Sequence, residues 1–250
     1  HIFGVDIDSQ AVEVTKLSLL LKALEGQNKQ ELQYSLFNER ILPNLNDNIK
    51  CGNSLIGPDF YERPELSFTD EELLKINAFD WKEEFKEVFK DGGFDAIIGN
   101  PPYIKEYTER TIFENVKCSY LAKYYQGKMD LWYLFACHGI DLLKSRGRLG
   151  FIAPNNWITN TGASILRNKI LSETKIVNYV DFADYRVFAE ASIQTMIFIL
   201  SKEISTRGYQ TDYYKILNKK VNETDLIAFL EHNSLSENID HINVTISAAK

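Results

Sequence analysis

Residues 94–103 read FDAIIGNPPY, and the last four of them could do chemistry on an amino group. The side-chain oxygen of Asn100 is an acceptor, and so is the carbonyl of Pro101, which has no N–H beside it to compete. Two acceptors directed at one point suit an exocyclic NH2 group. They would draw its lone pair out of conjugation, so that the nitrogen could attack a methyl group. Tyr103 can stack on the attached flat ring. The alternative is a turn capped by Asn100 with Tyr103 in the core.

The element before this turn must position it. Ala96–Ile98 is a short apolar run, which predicts a buried strand ending at Gly99. Pro101 and Pro102 end that strand, because neither can donate a ladder hydrogen bond and both restrict φ. Ligands of open α/β sheets bind at the carboxyl ends of strands, so this placement favours a functional turn.

A second strand end carries an acidic residue. Residues 2–8 read IFGVDID, a short apolar strand that ends at Asp6, and Ser9 is predicted to cap a helix over residues 9–25. Asp8 is an alternative cap. The helix is apolar at Val12 and at four leucines, which predicts a buried stripe. A carboxylate such as that of Asp6 can accept both hydroxyls of a ribose.

These segments resemble the N6-adenine DNA methyltransferases that carry Asn-Pro-Pro-Tyr, and more narrowly the methylase part of combined restriction–modification enzymes (type IIG, Eco57I-like). The resemblance runs from Gly4 to about Leu200 in the family's own order. It implies an α/β fold: a Rossmann-like S-adenosylmethionine-dependent methyltransferase sheet with helices on both faces and an antiparallel final strand. The implied reaction is direct methyl transfer to the N6 of an adenine flipped out of the duplex, with no metal.

The resemblance also assigns the residues that meet the target base. Asn100, Pro101, Pro102 and Tyr103 would form the catalytic turn. Phe188 stands where the family has an aromatic residue that holds the flipped adenine against Tyr103.

Four residues are assigned to the cofactor, S-adenosylmethionine. Asp6 would bind its ribose and Ile7 would pack on its adenine. Asn53, followed by Ser54, stands where the family usually has an acidic residue that accepts from the adenine amino group. The carbonyl of Asn53 can still accept. The alternative for this segment is an Asn-Ser turn.

Further segments complete the family's order. A helix over residues 128–143 is predicted to end at Gly147, with a strand over residues 148–154 after it. Residues 175–182 and 192–200 are predicted strands. Asp130, early in the helix, is a candidate for contacting the cofactor or ordering the catalytic loop.

The family's glycine-rich cofactor loop, and the strand that precedes it, do not occur ahead of Gly4. In the family that first strand lies between the strands at Phe3 and Ile97. Its loss would leave buried backbone groups unpaired. We therefore expect the first strand to be missing and the chain alone to bind S-adenosylmethionine weakly or not at all. Two explanations stay open: either the sheet is rearranged or completed by a neighbour, for example by self-association, or upstream sequence has been lost from the chain.

The chain is acidic, with 28 Lys and Arg against 35 Asp and Glu and a net charge of −7. Because phosphate contacts need cations, this predicts that double-stranded DNA is bound through the parent protein. Local phosphate contacts are predicted at cations that lie among tyrosines: Lys105, Arg110, Lys117, Lys123 and Lys128. A solvated loop is the alternative for this stretch.

Composition narrows the class of protein further. The sequence shows neither an apolar run long enough to span a bilayer nor a signal peptide. Its three cysteines fit a reducing compartment, so a cytoplasmic protein without a membrane partner is expected. The cysteines and the four histidines have no metal-binding spacing.

Two regions are predicted: a methyltransferase core over residues 1–202, and the start of a downstream region towards target recognition over residues 203–250. The core includes a short helix near residues 31–40 and an insertion with a capping box at Thr69–Glu72 and an amphipathic run over Leu73–Phe89. A strand over residues 209–217 and a helix that Asn222 caps follow the core.

Three alternatives stay open. Methylation of a glutamine amide on a translation factor also uses Asn-Pro-Pro-Tyr, but the long insertions fit it poorly. An RNA adenine methyltransferase would be favoured by a basic appendage, which the sequence does not show. The third is a non-enzymatic scaffold or subunit contact.

Overall fold

The computed structural model of the chain describes residues 1–25, 44–62, 69–188, 193–219, 221–232 and 234–247. They form two compact units, one of residues 1–86 with 118–120 and one of residues 87–117 with 121–250. The helix predicted near residues 31–40 lies outside the described residues. Within the described ranges, no helix has the length and apolarity needed to cross a bilayer.

The first unit contains a two-stranded parallel sheet of β1 (Gly4–Asp6) and β2 (Ile49–Cys51). Helix α1 (Ser9–Leu24) follows β1. The prediction that Ser9 caps this helix is wrong, because the side chain of Asp8 accepts the hydrogen bond from the Gln10 N–H. An aspartate makes an N-cap as good as a serine, and here it is one residue nearer the strand.

The predicted buried stripe of α1 is also wrong. Val12 is buried, whereas Leu17 and Leu21 are 58% and 56% exposed. The sheet beside α1 consists of two strands of three residues each, so it covers little of the helix surface. Amphipathic periodicity thus predicts the helix correctly but not the extent of its burial.

The insertion in the first unit forms separate short helices: α2 (Asp70–Ile76), α3 (Trp81–Glu84) and α4 (Lys86–Lys90), the last of which runs into the second unit. The predicted capping box is confirmed, with the Thr69 side chain accepting from the Glu72 N–H and the Glu72 carboxylate accepting from the Thr69 N–H. Asn77 adopts a left-handed conformation (φ 46°) and ends α2. The amphipathic run over Leu73–Phe89 is therefore divided.

The second unit is built on a six-stranded mixed sheet in the order β3-β4-β6-β5-β7-β8. These strands are β3 (Phe94–Gly99), β4 (Leu143–Pro154), β5 (Lys175–Asp181), β6 (Thr195–Ser201), β7 (Tyr209–Ile216) and β8 (Ile239–Ile246). Strand β4 runs parallel to β3, and β6 runs antiparallel between β4 and β5. The predicted antiparallel final strand is confirmed as β6.

Four helices accompany this sheet among the described residues: α5 (Arg110–Lys117), α6 (Leu131–Leu142), α7 (Ser164–Glu173) and α8 (Glu223–His232). Nearly all of α6 is buried, with Trp132 and Tyr133 at 0% exposure. The prediction that Gly147 ends this helix is wrong, because α6 ends at Leu142 and Gly147 lies inside β4. A Cβ on Gly147 would lie 2.8 Å from the Phe94 carbonyl, so the glycine permits β3 to approach.

Strand β3 is more exposed than predicted. Ala96 is exposed and Ile98 is 87% exposed. The physical reason is position: β3 is an edge strand, paired with β4 on one side and with no strand of the described residues on the other. Completion of this edge by a neighbour or by self-association stays a prediction.

Residues beyond 202 continue the same sheet. The predicted strand is β7, which runs parallel to β5, and β8 pairs antiparallel with β7. The predicted helix is α8, where the Thr224 N–H donates to the Asn222 side chain over 2.9 Å. Tyr214 and Phe229 are buried together with Val180 of β5. The assignment of residues 203–250 to a downstream region stays a prediction.

Candidate active site

The Asn-Pro-Pro-Tyr turn directly follows the carboxyl end of β3, as predicted. Pro101 is buried, whereas Asn100 is exposed. Within the described part of the chain, no hydrogen bond reaches the Asn100 side chain or the Pro101 carbonyl. Neither acceptor is therefore used by a protein donor in that part of the chain, and the capping bond expected of a purely structural Asn turn is not formed there. A Cβ on Gly99 would lie 3.2 Å from the Phe151 ring, so glycine lets the turn approach β4.

Tyr103 is held in place by its hydroxyl. The phenol is half-buried and donates a hydrogen bond to the backbone carbonyl of Ile152 on β4, 3.1 Å away. Burial raises the pKa of Tyr103 to about 12. The ring is thus a neutral, oriented surface and not a proton acceptor at ordinary pH.

Phe188 lies next to this ring, although 85 residues separate the two in sequence. The ring centroids are 6.5 Å apart, and the planes are inclined by 63°. A flat ring held between two parallel aromatic rings needs a separation of about 7–8 Å, twice the optimal contact distance. The structure therefore brings the two predicted stacking residues together edge to face, and one ring would have to turn to admit a base between them.

The predicted cofactor residues lie in the first unit, at the carboxyl ends of β1 and β2. Asp6 ends β1 and is exposed, and one of its carboxylate oxygens accepts a hydrogen bond from the Asp8 N–H over 2.8 Å. Ile7 is 54% exposed. An exposed carboxylate beside an exposed apolar side chain fits the ribose and adenine of a nucleoside.

Asn53 and Ser54 sit just beyond β2, and both take part in local structure. The Asn53 side-chain oxygen accepts from the Leu55 N–H over 3.1 Å. The Ser54 carbonyl accepts from the Trp81 indole N–H over 3.1 Å. The Asn53 oxygen has a second lone pair, so the turn and the cofactor assignment are compatible.

The loop after the catalytic turn is tied to the start of α6. The Leu131 N–H donates to the Ile104 carbonyl over 2.7 Å, and the Glu106 N–H donates to the Met129 carbonyl over 2.9 Å. Between these two hydrogen bonds, the backbones of Lys105 and Asp130 lie opposite each other as an isolated antiparallel bridge. Burial raises the pKa of the Asp130 carboxyl, an effect opposed by the charge of Lys105 and by the Tyr133 hydroxyl. Asp130 was a sequence candidate for ordering this loop, and its backbone pairs with the loop here, whereas a contact of Asp130 with the cofactor stays a prediction.

Two clefts of about 1000 Å³ and 580 Å³ lie beside this loop and share Lys105 and Asn156. Arg110 and Lys128 line the smaller cleft, and Arg186 and Lys219 line the larger one. Three of the five predicted phosphate contacts thus face the smaller cleft. The other two are engaged elsewhere: Lys117 pairs with Glu114 over 2.7 Å and Lys123 with Asp141 over 3.4 Å.

Asn156 lines both clefts, and the residues on either side of it are held by hydrogen bonds. The Asn155 amide donates to Asp181 over 2.7 Å and accepts from the Tyr179 hydroxyl over 2.6 Å. Arg167 donates to the carbonyls of Trp157 and Asn160 over 2.6 Å each. Sequence analysis missed this support, because it joins segments that are distant in the chain.

The His, Cys, Asp and Glu residues of the described ranges are the candidates for metal ligands, and three cysteines are among them. There, no group of three or more His, Cys, Asp or Glu residues could hold a metal ion. Cys51, Cys118 and Cys137 are free thiols. Burial raises the pKa of Cys137 to about 12, so its thiol stays protonated.

The fold is that of restriction–modification methyltransferases. The structure is similar to that of the methyltransferase subunit of a type I restriction–modification system from Streptococcus thermophilus, with a TM-score of 0.50 and 16% sequence identity. The superposition covers 96% of this chain and 44% of that subunit. It is also similar to the type IIL restriction–modification enzyme MmeI, solved in complex with DNA, with a TM-score of 0.53 and 15% sequence identity. That superposition covers 97% of this chain and 27% of MmeI.

The chain belongs to the Eco57I restriction-modification methylase family, whose sequence model matches residues 1–188. It is 32% identical over 205 residues to the type II restriction enzyme and methyltransferase RM.Eco57I of Escherichia coli, which covers 81% of this chain. It is 24% identical over 165 residues to the type II methyltransferase M.BstVI of Geobacillus stearothermophilus, over 64% of this chain. The matched parts span 19% and 28% of those two proteins.

Proposed function

We propose that this chain carries the catalytic centre of a cytoplasmic DNA methyltransferase of a restriction–modification system, which methylates the N6 of a flipped adenine. The observation that carries this proposal is the catalytic turn, where two vacant acceptors stand beside an oriented tyrosine ring at a strand end. Family membership supports the same chemistry.

The two acceptors of the turn would act on the amino group. The Asn100 side-chain oxygen and the Pro101 carbonyl would accept the two N6 hydrogens of adenine. The new bond from N6 to the methyl carbon would form as the bond from that carbon to the sulfonium sulfur breaks, with the electron pair staying on sulfur. Positive charge would grow on N6, where both oxygens would offset it, and N6 would then lose one proton to water. The rings of Pro101 and Pro102 restrict the backbone of the turn, so the Pro101 carbonyl would be positioned before the reaction, and such preorganised dipoles stabilise a transition state without rearrangement.

The aromatic pair would hold the base in line. Tyr103 and Phe188 would take the adenine ring between them once one ring has turned. Stacking of a base on an aromatic side chain is worth about 1–3 kcal/mol, which helps to offset the cost of unstacking the base from the duplex.

The residues at the ends of β1 and β2 would hold the cofactor. S-adenosylmethionine, when bound, supplies a sulfonium methyl group. Asp6 would accept its ribose hydroxyls, and Ile7 would cover its adenine. Asn53, beside Ser54, would accept from the adenine amino group. Their placement at neighbouring strand ends of one parallel sheet supports this assignment.

Double-stranded DNA would be the partner, although the net charge of −7 gives this chain little general affinity for phosphate. Lys105, Arg110 and Lys128 supply a local cationic surface beside the catalytic turn. Their number fits contacts to the strand around the target base.

The test is Asn100→Ala in the full-length protein, assayed with plasmid DNA and methyl-labelled S-adenosylmethionine. We expect kcat to fall by about 100-fold or more, the usual effect of removing one transition-state acceptor or donor. Affinity for duplex DNA, measured by fluorescence anisotropy, should change less than threefold. Asn243→Ala, which removes an exposed amide on β8, is the matched control and should keep wild-type turnover.

Equal turnover in wild type and Asn100→Ala would contradict the proposal. So would labelling of RNA or of a protein glutamine while DNA stays unlabelled. Binding of DNA without any methyl transfer by the wild-type protein would favour a scaffold.

A further inference from the structure

Asp130 is a buried carboxylate that no protein group fully satisfies. It is 4% exposed and lines the smaller cleft. Within the described ranges its side chain takes part in one hydrogen bond, from the Tyr133 hydroxyl at the long distance of 3.3 Å, and in no ion pair. The other carboxylate oxygen makes no hydrogen bond and is not wholly buried, so a donor in the cleft can reach its lone pairs.

The charges around Asp130 define what that partner must carry. Lys105, Arg110 and Lys128 line the same cleft, and within the described residues none of them forms an ion pair. The neighbouring acids are engaged: Glu106 accepts from the Tyr125 hydroxyl and Glu114 pairs with Lys117. The cleft thus offers one buried acceptor and three cations that form no ion pair within the described residues, of which Lys105 lies 5.7 Å from the centroid of the Tyr107 ring. It suits a molecule with N–H donors at one end and an anion at the other.

A nucleotide has this polarity. A phosphate on its own is disfavoured beside Asp130 by charge repulsion, whereas an amino-bearing base would donate to the carboxylate and leave its phosphate to the cations. Asp and Glu accept from the amino group of cytosine by the same chemistry. The volume of about 580 Å³ falls within the range of about 300–1000 Å³ that is usual for small-molecule sites.

The cleft is also coupled to the catalytic turn. The Leu131 N–H, next to Asp130, donates to the carbonyl of Ile104, the residue after Tyr103. The cleft therefore lies one short loop from the predicted target-base position. A nucleotide bound in it would be a close neighbour of the flipped adenine on the DNA.

We propose that the Asp130 cleft is a base-recognition subsite, which binds an amino-bearing base near the target adenine and discriminates against thymine. Asp130 accepts from the amino group, and Lys105 with Lys128 contacts the adjoining phosphate. The inference rests on the proposed DNA methylation and deepens it by naming a specificity-determining residue.

The experiment compares the methylated sequences of wild type and Asp130→Asn. The full-length protein methylates unmodified plasmid and genomic DNA, and single-molecule sequencing maps N6-methyladenine with its flanking bases. In wild type we expect thymine to be depleted at one position near the methylated adenine. In Asp130→Asn we expect methylation of sites with thymine there to rise about tenfold or more relative to the others, since the Asn amide can donate as well as accept.

Three comparisons separate recognition from a structural role. The Asp130 side chain makes no capping hydrogen bond to α6, so Asp130→Asn, which is of the same size, loses no cap and the thermal midpoint should stay close to that of wild type. Lys105→Met should weaken methylation of all sequences alike, because a phosphate contact carries no base information. Glu109→Gln, which removes an exposed carboxylate from the same loop, should leave the flanking preference unchanged.

The outcomes are distinct. If wild type methylates DNA but accepts thymine freely at every flanking position, the subsite is excluded. The subsite is also excluded if Asp130→Asn leaves the preference unaltered or only raises the Kd for S-adenosylmethionine. If wild type methylates no DNA at all, the proposed function itself fails.

Discussion

The hydroxyl of Tyr103 donates to the backbone carbonyl of Ile152 over 3.1 Å, and this bond ties the catalytic turn to β4. The bond orients the aromatic ring at the point where β3 ends. Because burial raises the pKa of Tyr103 to about 12, the phenol stays a donor throughout the working pH range. The ring would therefore contribute position and stacking, and the hydroxyl would contribute only anchoring.

Substitutions at Tyr103 should separate these two contributions. Tyr103→Phe loses one neutral hydrogen bond, worth about 1 kcal/mol, so we expect kcat/KM to fall by about fivefold. Tyr103→Ala also loses the stacking surface, so its kcat/KM should be lower by a further factor of about 10–100. Steady-state methylation of duplex DNA measures both. If the two variants lose activity equally, the hydroxyl and not the ring is essential.

Phe188 should act on the flipped base and not on duplex affinity. Phe188→Ala removes one side of the predicted sandwich, and we expect kcat/KM to fall by about 10–100-fold. Phe188→Trp keeps a stacking surface and should retain most of the activity. With 2-aminopurine in place of the target adenine, the fluorescence rise that reports flipping should be smaller for Phe188→Ala than for Phe188→Trp. An unchanged rise in Phe188→Ala would place this ring in the core and not in the target-base site.

Asp6 and Asp8 form a matched pair for the cofactor assignment. Asp6→Asn removes the carboxylate at the end of β1, and we expect the Kd for S-adenosylmethionine to rise about tenfold, since hydrogen bonds to a charged group contribute about 1.5–3 kcal/mol. Asp8→Asn loses the same charge but still caps α1, so the Kd should change less than twofold. Titration calorimetry on the full-length protein measures both. An equal rise of the Kd in both variants would show that lost charge or impaired folding causes the effect, and not a contact between Asp6 and the cofactor.

Stability should decrease in mild acid because of His138. This buried imidazole of α6 has its pKa lowered from 6.5 to about 4, since burial disfavours the charged form. The unfolded chain takes up a proton at higher pH than the folded chain does. The stabilisation is therefore fully present above pH 6.5 and is lost as the pH falls towards 4.

Urea unfolding at pH 7 and pH 5 measures this effect. Between pH 7 and pH 5, protonation of His138 in the unfolded chain should lower the free energy of unfolding of the wild type by about 2 kcal/mol. In His138→Gln the free energy of unfolding should fall by correspondingly less. His232→Gln, which removes an exposed imidazole, should keep the wild-type loss because His138 is still present. An identical loss in His138→Gln would assign the acid sensitivity to other groups.

The sequence predicted the Asn-Pro-Pro-Tyr turn at the end of a strand and the order of the main strands along the chain. Two prolines after a strand can form little but a turn, and the family resemblance implied an antiparallel final strand, which is β6. The meeting of Tyr103 and Phe188 followed from the same order. Caps at Thr69 and Asn222 depend on a few neighbouring residues, so they too were predicted correctly.

Burial was predicted less well, because it depends on what packs against an element. The apolar residues Leu17 of α1 and Ile98 of β3 are exposed, since α1 lies on a small sheet and β3 is an edge strand. Asp130 and Asn156 meet at one cleft only through the fold, and no spacing in the sequence announces that contact.

The most direct test of the central claim identifies the methylated base. The full-length protein is incubated with plasmid DNA and methyl-labelled S-adenosylmethionine, and the DNA is digested to nucleosides for mass spectrometry. We expect all transferred label to appear in N6-methyldeoxyadenosine, and we expect Asn100→Ala to lower the rate of labelling by about 100-fold or more. Label in N4-methyldeoxycytidine, or in RNA or protein with none in DNA, would contradict the account.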